Sequence, residues 1–371
     1  MDTSCFGQFM LVVRQPCGEL MIINTSGAWY TRFFNEPLVD LGDCEAAAFR
    51  GVLTPKNEVG QRRSGVNAMF LKNAEAYYKK YQGFDYWRML LVQALGHIRV
   101  DDPKIVVEYG CGFGNATLPM LDIFPNSKII ASDISPNLLA ILDGLLVSRN
   151  LKDRCVAVAM DAHKPYIKEG SADLIFGAAI LHHLVEPREF IGSALRALKP
   201  GGWAFFFEPL EGGLAILRLI CEEVVREGKR RFFTERWTRA MLLTQKFAKD
   251  LRPQIFRTAI PGWRDRDDKW AFPRSVLEKI AQENHAEVRT YGLHDNIGQF
   301  RRHFSYMLET YGGMKATNYP TWAWDIFDRY DKETFSPEML LDLALEGCIL
   351  FRKLPDAVGE TSSITRPSEG L

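Results

Sequence analysis

IVVEYGCGFGNATLPML, residues 105–121, reads as a strand, a glycine turn and the start of a helix. The β-branched run Ile105, Val106 and Val107 suits a buried strand, and Glu108 comes just before the turn. Gly110, Gly112 and Gly114 follow, and Ala116 to Ile123 is helical text. Glycines at such a turn accept positive φ and let the backbone approach a ligand, while the free N–H groups of the next helix face it. A dinucleotide turn wants glycine at the sixth position of G-x-G-x-x-G, where helix packs on strand, and that position here is Asn115.

Glu108 also sits badly beside a pyrophosphate. It suits a cofactor with a cationic amino-acid portion, and S-adenosylmethionine (SAM) is such a cofactor. Downstream, SKIIASDIS (127–135), RCVAVAMDA (154–162), ADLIFGAAI (172–180) and GGWAFFFEP (201–209) read as strands separated by helical text. Such alternation with short connections predicts an α/β fold, a parallel sheet wound on both faces.

Outside this core, residues 8–35 alternate like a small β-meander, and residues 1–60 are expected as a small N-terminal β-rich module. The core's first part is assigned to 61–212 and opens with helical text from Asn67 to His97. Long amphipathic text over 213–273 is expected as a helical lid at the carboxyl edge of the sheet, where ligands bind in open α/β folds. RSVLEKIAQEN, AEVRTYGL and EGCILFRK resume the core over 274–354, around a second insertion from about 298 to 338, and 355–371 is a polar tail expected to be disordered.

The chain has 371 residues with 46 basic and 46 acidic side chains, so no overall field would draw it to nucleic acid or an anionic membrane. Seven cysteines are scattered without a C-x-x-C pair or metal-ligand spacing, which fits reduced thiols in a cytoplasmic protein. No export signal or membrane-spanning run is expected, and a homodimer is possible.

With these motifs in view, residues 68–354 resemble a class I SAM-dependent methyltransferase, of the broad group that includes the quinone-biosynthesis enzymes. VVEYGCGFG (106–114), ASDISP (131–136), MDAHKPY (160–166) and ADLIFGAAILHHL (172–184) followed by ALKPGGWAFFFEP (197–209) carry the resemblance. It implies a doubly wound, mostly parallel seven-stranded sheet, the Rossmann-like methyltransferase fold, with SAM as cofactor. The PCGEL text around Cys17 resembles zinc-ribbon-like modules that precede some bacterial methyltransferases, but partner cysteines are absent and no metal is expected.

Asp133 ends the second strand about twenty residues past the glycine turn, where a carboxylate can accept both ribose hydroxyls; a helix N-cap is its structural alternative. By the family pattern Asp161 accepts from the adenine amino group, the Ala162 N–H meets a ring nitrogen and Ile134 packs on the adenine face. Gly110, Cys111, Gly112 and Gly114 line the methionine portion, Glu108 acts through water or loop N–H groups, and Ala179 lies beside the sulfonium.

Methyl transfer from a sulfonium is an in-line displacement, and a base is needed only if the acceptor holds its proton. His182, His183 and Glu208 are the catalytic candidates, each weighed against a packing or capping role. Tyr77, Tyr78, Tyr81, Tyr86 and Trp87, with Phe232, Phe233, Trp237, Trp263 and Trp270, are candidate pocket walls or lid core. The basic cluster Arg226, Lys229, Arg230, Arg231, Arg236 and Arg239 is interleaved with glutamates and reads as a solvated helix face. The expected activity is methylation of an oxygen or nitrogen of a small molecule under the lid. The rivals are a protein or tRNA methyltransferase that docks through the N-terminal module, and a SAM-binding partner protein without turnover.

Overall fold

The computed structural model describes residues 27–61, 73–231 and 239–355. Cys17 and most of the expected meander, the aromatics Phe232, Phe233 and Trp237 with Arg236, and the tail from 356 lie outside the described residues.

Among the described residues nine strands form one sheet: β1 (Leu38–Asp40), β2 (Leu53–Pro55), β3 (Ile105–Tyr109), β4 (Lys128–Asp133), β5 (Cys155–Ala159), β6 (Ala172–Ala178), β7 (Leu198–Pro209), β8 (Ala286–Gly292) and β9 (Glu346–Lys353). Their order is β1-β2-β5-β4-β3-β6-β7-β9-β8. β3 to β7 pair in parallel, and β9 lies antiparallel between β7 and β8. Every residue of β3 and β5 is buried, as expected for strands covered on both faces.

β3 to β9 are the seven strands of the expected fold, and the sheet extends two strands further. Leu53 of β2 pairs with Val158 of β5, and β1 pairs antiparallel with β2. The described part of residues 1–60 is thus continuous with the main sheet, where a separate module was expected. The physical reason is the edge of β5, whose backbone groups need partners, and Phe33, Phe34, Leu38 and Leu53 join the main core there.

The helices are α1 (Ala74–Tyr81), α2 (Phe84–Gly96), α3 (Thr117–Ile123), α4 (Pro136–Ser148), α5 (Pro187–Ala197), α6 (Glu211–Arg230), α7 (Arg239–Phe256), α8 (Arg274–Glu283), α9 (Gln299–Thr310), α10 (Thr321–Arg329) and α11 (Pro337–Asp342), with single turns between. One core is shared by the sheet with α5 and α8, through Phe190, Ile191, Leu277 and Ile280. The other is shared with α2, α3 and α4, through Leu90, Leu91, Leu118, Leu121, Leu139 and Leu142. The chain winds one way from β3 to β5 and the other way from β6 to β7. Ligands bind at such a switch point, outside the carboxyl ends of the strands.

The two insertions do not stand apart. α6 and α7 from the first pack on α9 and α10 from the second around a third core of Leu217, Val224, Met241, Phe304, Trp324 and Phe327. Phe304 stacks on Phe327 with ring centroids 4.8 Å apart. Truncating such a buried ring to alanine costs about 3–5 kcal/mol, so each insertion depends on the other for its fold. Among the described residues no helix is long and apolar enough to cross a membrane.

Candidate active site

The glycine turn has the conformation its composition requires. Gly110, Gly112 and Gly114 have φ of 71°, 54° and 93°. A Cβ on Gly110 would lie 2.9 Å from the Ile180 Cβ, and one on Gly114 would lie 2.5 Å from Leu142 Cδ1. Conformation and space both demand glycine at these two positions.

Asp133 holds this turn from the end of β4. Its Oδ2 accepts from the Gly112 N–H at 2.8 Å and its Oδ1 from the Ser135 N–H at 2.8 Å. The α4 N-cap is Ser135, whose Oγ accepts from Leu138, so the capping alternative for Asp133 falls to its neighbour. Burial raises the Asp133 carboxyl, opposed by the N–H groups of Ser135, Gly112 and Ile134. Each oxygen keeps acceptor capacity for a further donor. Ile134 follows half-buried.

Glu108 is fully buried at the end of β3 and accepts from the Thr117 hydroxyl, while its Oε1 has no hydrogen-bond partner. Burial pushes its carboxyl up to about 8, against the Thr117 bond. Cys111 is buried, and burial pushes its thiol well above the usual value, which makes it a packing residue of the turn. Tyr77 and Tyr78 of α1 pack their edges against Phe113, at 5.9 and 5.0 Å, and so cover the turn from outside.

After β5, Asp161 accepts from both the backbone N–H and the Nδ1 of His163, at 3.0 and 2.9 Å. The His163 bond, ahead of opposing burial, holds its carboxyl below the ordinary value. Ala162 is half-buried beside it, and His163 Nε2 is buried without a hydrogen-bond partner.

β6 ends in a strained residue. Ala179 has φ 59°, held by its N–H donating to the Phe207 carbonyl at 3.1 Å. Next comes Glu208, 2 % exposed at the end of β7. Its Oε1 accepts from the Ile180 and Leu181 N–H groups at 2.9 and 2.6 Å, and its Oε2 from the His182 N–H and Nδ1 at 3.1 and 2.6 Å. With both oxygens occupied, Glu208 fixes the turn and the imidazole ring of His182.

Burial would lower the His182 pKa, but the Glu208 charge and hydrogen bond, helped by Asp268, hold it above the ordinary value. His182 Nε2, the nitrogen not engaged by Glu208, lies 3.6 Å from Asp268 Oδ1. His183 Nδ1 bonds to the Asp267 carbonyl at 3.0 Å, and burial with the neighbouring His182 lowers its pKa to about 4. Segment 267–270 from the first insertion lies over both rings, anchored by the Lys269 N–H on the His182 carbonyl at 2.7 Å. Trp263 and Trp270, candidate pocket walls, pack edge-on against each other with Trp263 buried, and Trp270 stacks on Phe272.

Three residues at this edge carried no sequence signal of their own. Glu346 opens β9 directly opposite Pro209, with His294 Nε2 at 3.7 Å and His303 Nδ1 at 3.9 Å from its oxygens. Only the antiparallel insertion of β9 beside β7 brings them near His182. The basic cluster is largely a solvated face, with Arg230 and Arg231 paired to Glu227.

An open α/β sheet with a glycine turn, a carboxylate at the end of the second strand and a histidine–carboxylate pair across the switch point defines a nucleotide-cofactor enzyme class. Residues 107–206 match the family described as a methyltransferase domain, and the chain carries a class I SAM-dependent methyltransferase domain with SAM as its cofactor. It is similar to the malonyl-[acyl-carrier protein] O-methyltransferase of Hahella chejuensis, 30% identical over 100 residues, or 27% of this chain and 34% of the relative. The trans-aconitate 2-methyltransferase of Methylobacterium radiotolerans is 26% identical over 110 residues, 30% of this chain and 40% of the relative. A tRNA N(3)-methylcytidine methyltransferase of Drosophila melanogaster is 31% identical over 126 residues, 31% of this chain and 38% of the relative. The chain spans less than half the length of these curated relatives.

Proposed function

We propose that this protein transfers a methyl group from SAM to an oxygen or nitrogen of a small molecule, in the cytoplasm and under the helical cover built by its two insertions. The observation that carries this reading is the meeting of two constellations at one edge of the sheet. The Asp133-tied glycine turn ends β3 and β4, and the Glu208–His182 pair ends β6 and β7 beneath segment 267–270.

In this reading Asp133 receives the ribose hydroxyls, Asp161 the adenine amino group and the Ala162 N–H an adenine nitrogen, with Ile134 against the ring. Gly110, Cys111, Gly112 and Gly114 line the methionine portion, and Glu108 acts through ordered water or the N–H groups of the loop. The Ala179 turn lies beside the sulfonium. SAM supplies the electrophilic methyl group; the protein aligns the acceptor and excludes water. His182 Nε2 takes a proton from the acceptor, and Glu208 holds the ring and stabilises the imidazolium through Nδ1. The raised His182 pKa makes it the stronger base of the two histidines.

Labelled methyl from SAM should enter the small-molecule fraction of a cell extract incubated with the protein. Label in protein or tRNA instead would transfer the reading to a macromolecular acceptor, the class that the Drosophila relative's name describes. Among variants, His182→Ala should lose most of the rate while His183→Ala keeps it. Full rate in both from pH 6 to 9 would exclude either histidine as base.

A further inference from the structure

The cover and the sheet edge together expose a wall of tyrosines that the cofactor site does not use. Tyr86 of α2, Tyr306 of α9 and Tyr311 just beyond it are 43%, 54% and 64% exposed, unusual for large aromatics on three neighbouring segments. The Tyr86 ring stacks on His294, and its hydroxyl lies 3.4 Å from His294 Nε2. His294 in turn meets Glu346, as does His303. Tyr306 and Tyr311 stand edge to face with centroids 6.3 Å apart. Glu346 pairs opposite Pro209, next to the Glu208 that holds His182, and His182 Nε2 lies 3.6 Å from Asp268. Burial, then Glu346 and Tyr306, raise the Tyr86 hydroxyl; Tyr311, raised first by burial, also feels Tyr81 and Asp268.

We propose that this wall of Tyr86, Tyr306 and Tyr311, with Glu346 and Asp268, is the acceptor subsite and that it takes an amine presented as its ammonium on an aromatic or aliphatic body. This deepens the transferase reading and rests on it. Four facts favour a cation. Tyrosine faces attract ammonium groups through the ring quadrupole. Burial would raise the Glu346 carboxyl, but the His294 contact, with the other imidazoles nearby, holds it below its ordinary value. The arginines of α9 are turned to other partners, Arg301 to Asp328 at 2.6 Å and Arg302 to Asp295 at 2.7 Å. The nearby Lys269 is enclosed, with its ammonium 3.4 Å from the Asp267 carbonyl. A carboxylate acceptor would meet Glu346 and Asp268 and be repelled.

The transfer balances as follows. The bound ammonium gives one proton to His182 Nε2. The nitrogen lone pair then forms the N–C bond to the methyl carbon as the C–S bond breaks, its electron pair passing to sulfur. A methylated ammonium and neutral S-adenosylhomocysteine result, and the His182 proton returns to solvent.

The test is calorimetry on the full chain loaded with S-adenosylhomocysteine, using benzyltrimethylammonium as the probe, which has no lone pair to methylate, and phenylacetate as its anionic counterpart. The cation should bind at least about tenfold tighter. Glu346→Gln should weaken it by about tenfold through the lost charge, and Tyr306→Leu, at an exposed position, by about threefold to fivefold through the lost ring face. S-adenosylhomocysteine affinity should stay unchanged in both. Equal binding of phenylacetate, no binding of the cation, or full cation affinity in both variants would overturn the amine subsite alone. Failure of the parent protein to bind S-adenosylhomocysteine would instead overturn the transferase reading beneath it.

Discussion

Glu208→Gln should be the most informative single change in this molecule. The buried carboxylate accepts four hydrogen bonds, from the backbone N–H groups of Ile180, Leu181 and His182 and from His182 Nδ1. Glutamine keeps one carbonyl oxygen, and its amide nitrogen would point two new donors at groups that already donate. The loss therefore approaches two charge-assisted bonds, about 3–6 kcal/mol at 1.5–3 each. At about 2 °C per kcal/mol for a large domain, the melting temperature should fall by about 6–12 °C.

The pH dependence has a definite sign. His182 is raised in the folded state, so the stability it contributes is fully present below its unfolded value near 6.5 and is lost as pH rises through the folded one. The gap between parent and variant should therefore narrow on the alkaline side. Thermal melts from pH 5.5 to 8.5, with methyl transfer measured on the same samples, check both. A melting temperature within 2 °C of the parent at pH 6, with an unchanged rate profile, would refute the view that Glu208 positions this turn and ring.

Asp133→Ala removes a carboxylate that holds the Gly112 and Ser135 N–H groups, and SAM affinity should fall about tenfold to a hundredfold by calorimetry, or 1–3 kcal/mol. Unchanged affinity would sink the ribose role. Gly110→Ala places a Cβ 2.9 Å from Ile180 at φ 71°, and should destabilise the protein by more than the ~1–2 kcal/mol of left-handed strain alone; equal denaturation midpoints would contradict it. Glu108 titrates near 8 when folded, so its stabilising contribution as the neutral acid is lost as pH climbs from about 4.5 through 8. In the protein without SAM, Glu108→Gln should match the parent at pH 5 and exceed it at pH 8.5 in urea melts.

The glycine turn and the carboxylate beside it were legible because their parts are local. Gly110, Gly112, Gly114 and Asp133 lie at the ends of consecutive strands, and short β–α connections leave few ways to arrange them. The LHH text and Glu208 were equally visible as candidates. Their contacts were not, since these depend on β6 and β7 pairing so that Ala178 sits beside Phe207 and Glu208 reaches back to three N–H groups.

The cluster around Glu346 was hidden for a related reason. Glu346, His294, His303 and Asp268 come from separate segments, and no periodicity or spacing links them. Likewise, the amphipathic text of 213–273 and of 298–338 announces helices without saying that the two segments share one core. Sequence alone determined the parallel core, its glycine turn and the carboxylate at the end of the next strand, because those follow from residue-by-residue conformational preference and short connections. Only the tertiary structure decided where β1, β2 and β9 dock and what covers the site, because those contacts are set by long-range packing among faces that the sequence marks merely as apolar.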